Sequence, residues 1–289
     1  KPRAKSYLRP LDLRGGAQRV LGRTDLASVE FPAPARTTFR IMTYNVHGCV
    51  GMDGKLSPER IARVIARHDV DAVALQELDV NRPRSGGIDQ AEKIARKLEM
   101  TFHFHPTFRL KDGQYGNAIF SRYPMALMKM GELPKLRPKK EFEPRGALWV
   151  TVDFQGMKIH LINTHLSLWP KERFLQAQAL VGLDWMAHPD CKGPTILCGD
   201  FNALPGSLAY NRFCGVMGDC QKMLDSHKPT HTWMGNYPIR RIDHVFVNSA
   251  FEVAAIKVPS TTLDKAASDH LPLITELKLK KAKIPAENR

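Results

Sequence analysis

The spacing of apolar and polar positions divides the chain into short runs that alternate between strand-like and helical periods. FRIMTYNV (39–46) is a β-rich run. SPERIARVIARH (57–68) follows with a helical period. Ser57 is placed to cap it, Pro58 takes the first helical position, and Ile61, Val64 and Ile65 share one face. VDAVALQE (70–77) is then a strand ended by a carboxylate, and QAEKIARKLEM (90–100) a second helix. YGNAIFS (115–121), GALWVTVDF (146–154), KIHLINTH (158–165) and PTILCGDFN (194–202) have strand patterns. KERFLQAQALVGLDWMA (171–187) is predicted as one amphipathic helix, and KLRPKKEFEPR (135–145) as a Pro-broken charged loop. RRIDHVFVN (240–248) and HLPLITELKL (270–279) close the pattern. Strands outnumber helices and both recur in each half, which predicts an α/β fold of two stacked mixed sheets with helices outside.

Polar clusters sit where apolar runs end. Asn45 follows IMTY, Glu77 follows VALQ, His165 follows LINT and Asp200 follows ILCG. Function gathers on loops at the ends of rigid strands, so several strands ending in Asp, Asn, Glu or His predict one shared mouth.

Composition narrows this further. A chain of 289 residues with 43% hydrophobic content is enough for one large domain. No apolar run approaches the roughly 18 residues of a spanning helix. The five cysteines are odd in number and form no C-x-x-C pair, which predicts buried small hydrophobes and a reducing, cytoplasmic setting rather than a disulfide framework or a zinc site. Net charge is +14, which favours a polyanionic partner. Residues 1–38 hold eight basic and three acidic groups, and 277–289 hold five and one, so most of the excess lies in the tails. The expected organisation is a basic arm (1–38), one domain (39–279) and a basic tail (280–289), in a monomer.

Taken singly, the polar residues say little, since a strand-end Glu or a turn Asn is common. Their order says more. YNVHG (44–48), QE (76–77), THL (164–166), GDFN (199–202), RIDH (241–244) and SDH (268–270) resemble the ordered signature blocks of the endonuclease/exonuclease/phosphatase superfamily. YGNAIFSRYP (115–124) is similar to a segment of its bacterial hydrolases. The resemblance implies a four-layer α/β sandwich with Mg²⁺ or Mn²⁺ at the mouth. Glu77 is implied as the main metal ligand, with Asn45 and Asp269. Hard oxygen donors of this kind suit Mg²⁺. Asp243 is implied to orient His270, while Asp200 and His270 activate water. Asn202 would orient water or phosphate, His165 would donate to a phosphate oxygen or the leaving group, and Asn117 would line the same pocket. Arg145 and Arg84 are candidates for phosphate contacts, because the guanidinium fork matches phosphate geometry.

Departures from subgroup patterns matter. His47 stands where apurinic-site endonucleases carry an acidic ligand, GDFNALPGS differs from their continuation, and the Trp-Cys-Asp-Arg run of inositol-polyphosphate phosphatases is absent. Three functions remain open: a phosphodiesterase acting on nucleic acid, ranked first; one acting on anionic phospholipid, of the sphingomyelinase type; and a non-catalytic nucleic-acid-binding module. The aromatic-basic segment FHFHPTFRLK (102–111) fits a substrate surface or a plain strand and loop. No exposed apolar hairpin for membrane insertion stands out.

Overall fold

The protein is described by a computed structural model covering residues 36–136 and 143–280. Expectations for residues 1–35, the centre of the 135–145 loop and 281–289 fall outside the described residues. One six-stranded sheet contains β1 (Thr38–Asn45), β2 (Ala72–Val80), β3 (Thr101–Leu110), β4 (Gly113–Ser121), β11 (Phe251–Lys257) and β12 (Leu273–Leu279), in the order β11-β12-β1-β2-β4-β3. The second contains β5 (Met125–Glu132), β6 (Gly146–Phe154), β7 (Met157–His165), β8 (Thr195–Asp200), β9 (Gly218–Asp219) and β10 (Asp243–Val247), in the order β5-β6-β7-β8-β10-β9. Helices α1 (Pro58–Ala66), α2 (Gln90–Leu98) and α6 (Thr262–Ala267) accompany the first sheet. Helices α3 (Pro170–Leu180), α4 (Leu208–Cys214) and α5 (Cys220–Met223) accompany the second.

The expected four-layer sandwich forms because alternate strand residues bury in opposite directions. On β1, Phe39 and Ile41 point to the second sheet, where Leu148, Val150, Leu161 and Ile196 meet them. Met42 and Tyr44 point the other way, against Ile61, Val64 and Ile94 of α1 and α2. Strands buried on both faces read as nearly unbroken apolar runs. Ser57 caps α1 by accepting from the Arg60 N–H at 3.2 Å, and Asp89 caps α2 by accepting from the Glu92 N–H at 2.9 Å.

Two features aim the strand ends at one edge. β1 pairs parallel with β2, and β7 parallel with β8, so within each pair both C-termini emerge together. Inside the sandwich, Gln76 Nε2 donates to Asn163 Oδ1 at 2.8 Å and Asn163 Nδ2 donates to the carbonyls of Leu75 and Ala118 at 2.9 Å, tying the sheets together beneath that edge. Gly199 sets the approach of β8 to β7, because a Cβ there would lie 1.9 Å from the Thr164 carbonyl oxygen.

The helix predicted over 171–187 stops at Leu180. Gly182 donates back to Ala179 O and turns the chain, which lets Trp185 enter the core beneath α3. A continuous helix would not deliver it there. A buried network anchors the segment before β10: Arg241 Nη2 donates to Asp219 Oδ2 at 2.7 Å, and the Tyr210 hydroxyl donates to the same oxygen. Both ionic partners are under 5% exposed. Asp219→Ala is therefore expected to destabilise the protein by about 3 kcal/mol, by leaving Arg241 buried and uncompensated. Urea unfolding checks this, and a loss within ~0.5 kcal/mol of zero would contradict it.

Candidate active site

The strand ends supply the site residues by specific backbone devices. β2 does not stop at Glu77 as expected but runs on to Val80, with a bulge between Leu75 and Leu78 opposite β4. Glu77 occupies the bulge with φ +65°, a left-handed conformation that a non-glycine residue holds only when its surroundings enforce it. The kink gives Glu77 a place at the site while the flanking residues stay paired in the sheet. Asn202, just past β8, is also left-handed with φ +48°. Its N–H donates to Asp200 Oδ1 at 2.9 Å.

Glu77, His165, Asp200, Asn202, Asp269, His270 and Arg145 line one cavity of about 680 Å³. Asp243 lies directly behind His270 and is fully buried. Asn45 is buried too, and joins the groups together: its Nδ2 donates to Glu77 Oε1 at 2.8 Å and to Asp200 Oδ2 at 3.0 Å. Asn45 was expected as an oxygen ligand, and here its amide bridges the two carboxylates. Its nitrogen faces the carboxylates and its Oδ1 accepts from the His47 N–H at 3.0 Å. Asn117 departs from expectation, because it is buried on β4 and is not part of the cavity wall, with Nδ2 lacking a partner. Arg84 is committed elsewhere, forking onto Asp79 at 2.7 and 2.8 Å.

The two histidines are held in different states. Arg145 can only donate, so its 2.9 Å contact to His165 Nδ1 makes that nitrogen an acceptor and leaves the ring proton on Nε2. Burial, then the charges of Arg145 and His270, hold the His165 pKa well below the usual value, so the ring is neutral. Its Nε2 lies 3.5 Å from Asp200 Oδ2 and 3.2 Å from Asn202 Nδ2. Burial opposes protonation of His270 as well, but Asp243 and Asp200 outweigh it and raise this pKa to about 10. His270 Nδ1 donates to Asp243 Oδ2 at 2.9 Å, an oxygen that also accepts from the Thr232 hydroxyl at 2.6 Å. His270 Nε2 lies 3.7 Å from Asp200 Oδ2. Asp200 is pushed up to about 7 by burial and by the Asp243 charge, against the pull of His270 and the Asn45 hydrogen bond.

Two clusters offer a place for a cation. Asp200, Asp243 and His270 lie close together. There, however, an imidazolium already neutralises the carboxylates, and a cation would have to displace it. Glu77 and Asp269 are 21% and 31% exposed and face the open cavity, with His47 Nδ1 at 3.8 and 3.6 Å from them. Their all-oxygen, partly solvated character fits Mg²⁺ or Mn²⁺, which keep several waters.

Several supporting residues were not identified from the sequence. Trp233 Nε1 donates to Asp269 Oδ2 at 3.4 Å, Thr232 fixes Asp243, and Arg173 and Arg240 line the cavity. Ser268 lies inside a recognised block, yet its role appears only in three dimensions. Its hydroxyl donates to the Asn45 carbonyl at 2.8 Å and accepts from the His270 N–H at 3.2 Å, locking β1 to the last block.

A model of the Endonuclease/Exonuclease/phosphatase family matches residues 42–270. The chain belongs to that family. It is accordingly a hydrolase of the endonuclease/exonuclease/phosphatase superfamily. The Escherichia coli (strain K12) protein YbhP is 24% identical over 254 residues, covering 84% of this chain and 97% of that protein. An endonuclease/exonuclease/phosphatase from Beutenbergia cavernae DSM 12333 superposes with a TM-score of 0.70 at 27% identity, over 86% of this chain and 73% of that one. The human Nocturnin catalytic domain, with a bound sulfate, matches with a TM-score of 0.66 at 22% identity, over 85% and 96% of the two chains. A mannosyl-6-phosphatase of Bacteroides thetaiotaomicron VPI-5482 matches with a TM-score of 0.65 at 23% identity, over 83% and 99%. At these identities the last two show a shared fold only.

Proposed function

We propose that the chain is a divalent-metal-dependent phosphodiesterase. The observation that carries this reading is the arrangement of Glu77 and Asp269 at the exposed part of the cavity, with Asp200 beside Glu77 on the shared Asn45 Nδ2 and the His270–Asp243 pair next to Asp200. A phosphodiester is anionic and repels an incoming nucleophile, so hydrolysis calls for positive charge on its oxygens and a base for the water. Glu77 and Asp269 would hold Mg²⁺ or Mn²⁺, which when bound would supply Lewis-acid stabilisation of the phosphate charge. Asn45 seats Glu77 and Asp200 through its two donated hydrogen bonds. Asp200 takes the proton of the attacking water, since a carboxylate with a pKa near neutrality is suited to that task. His270, kept as imidazolium by Asp243, and neutral His165 donate to phosphate oxygens. The water oxygen bonds to phosphorus, one phosphorus–oxygen ester bond breaks, and the departing oxygen gains the proton that Asp200 took from the water, leaving an alcohol and a monoester. Asn202 orients the water or phosphate, with its Nδ2 fixed on the Leu166 carbonyl at 3.0 Å.

Soaking crystals with Mn²⁺ tests the ion position without reference to activity. An anomalous peak between Glu77 and Asp269 is expected. A peak inside the Asp200–Asp243–His270 group, or none at saturating Mn²⁺, would contradict it. Nucleic acid ranked first among substrates by sequence, and the partly exposed ring of Trp233 on the cavity wall, with Arg240 over one face, leaves one face for a base. The phospholipid reading is favoured by the apolar rim around the mouth.

A further inference from the structure

Around the mouth the surface changes character. Leu168, 68% exposed, and Trp169 follow β7, while Leu204 follows β8 and Leu208, 72% exposed, opens α4. On another side, residues 232–240 form a hairpin closed by Trp233–Arg240 pairing, and both of these residues line the cavity. Met234, Ile239 and Tyr237, the last 82% exposed, project from this hairpin. The hairpin is firmly held. Gly235 N–H donates to the Asp269 carbonyl and Leu271 N–H to the Thr232 carbonyl, both at 2.7 Å, so the backbone that presents Asp269 and His270 also carries it. Seven of the fifteen exposed large apolar residues among the described residues lie on these loops, which is not the ordinary scatter of single hydrophobes. An apolar groove of about 360 Å³ lies between α3 and α4, with Phe174, Leu175 and Leu208 in its walls. It shares Arg173 and Ser207 with the catalytic cavity.

A surface that tracks nucleic acid combines Lys and Arg along the backbone path with aromatic platforms for bases. Aliphatic side chains such as Leu168, Leu204, Leu208 and Ile239 gain nothing from phosphates. Leu and Ile flanked by Trp and Tyr match the boundary between water and hydrocarbon, where amphipathic rings sit at headgroup level. The charges agree. Lys171 borders the groove, and Arg173 and Arg240 border the cavity.

We infer that the mouth is a bilayer-docking face. Its apolar rim enters the headgroup region of an anionic phospholipid membrane and delivers the headgroup phosphodiester to the cavity, with the α3–α4 groove receiving an acyl chain. The inference depends on the phosphodiesterase reading for what is hydrolysed, but not for docking itself.

Flotation of the full chain with phosphatidylcholine vesicles, with and without phosphatidylglycerol and with chelator present, tests docking. The wild type should float with the anionic vesicles. Tyr237→Ser/Ile239→Ser and Leu168→Ser/Leu208→Ser should each lower the partition coefficient roughly tenfold or more, at an unchanged melting temperature. Failure of the wild type to float, or flotation of both variants like wild type, would overturn the inference. So would a wild-type dimer dissociated by these substitutions, or equal loss of duplex DNA binding in vesicle-free solution. Bis(4-nitrophenyl) phosphate hydrolysis by the wild type, measured in parallel, reports on the phosphodiesterase reading separately. Hydrolysis without flotation removes docking alone, and flotation without hydrolysis supports docking and removes that reading.

Discussion

Glu77→Gln is expected to lower kcat/KM on a soluble phosphodiester by about a thousandfold at sub-saturating metal, the equivalent of several kcal/mol of lost charge stabilisation. The substitution is nearly isosteric. Gln accepts the Asn45 hydrogen bond as Glu77 Oε1 does, and Gln has no β-branch to resist the left-handed bulge. The fold should therefore survive, which a melting curve checks. What disappears is one of the two carboxylates at the open side of the cavity, so part of the rate should return as Mg²⁺ is raised. Near wild-type turnover at low metal would reduce Glu77 to a structural carboxylate.

The second large effect concerns the Asp243–His270 pair. His270→Ala should slow turnover by at least about 100-fold, the usual scale for losing one hydrogen-bond donor to developing charge. It should also destabilise the protein by about 3 kcal/mol, because Asp200 and Asp243 would then face each other without the imidazolium between them. Asp243→Asn should cost less activity, since it removes only the group that orients and charges the ring. The double variant Asp243→Asn/His270→Ala should be no slower than His270→Ala, and more stable, because one buried charge has gone. Additive rate losses would mean that the two residues act separately. A double variant less stable than His270→Ala would contradict the charge argument.

Much of the sandwich and its site was legible in the sequence because apolar runs on inner strands are long and each ends on a polar residue. The elements left unassigned are short or peripheral. β5, with its Met-rich MALMKMGE, and β11 are edge strands whose pattern is set by only one neighbour. α4 and α6 span seven and six residues, too short to establish a period. In the site, residue types were readable but directions were not. Asn45 offers both an amide oxygen and an amide nitrogen, and only the His47 N–H on one side and two carboxylates on the other decide which faces inward. Arg84 and Arg145 are both guanidiniums near a Pro, but Asp79 occupies the first while the second reaches His165. The docking rim was invisible for a similar reason. Leu168, Leu208 and Ile239 are isolated in sequence, and only the fold sets Leu168 on the cavity wall, Leu208 in the adjoining groove and Ile239 next to the cavity-lining Arg240.

The most direct test of the central claim is the hydrolysis of a short soluble phosphodiester by the full chain, followed from exhaustive chelation through stepwise addition of Mg²⁺ or Mn²⁺. Turnover should be absent in chelator and should rise to saturation with either ion. Full activity that persists in chelator would contradict metal-assisted hydrolysis at the Glu77–Asp269 site.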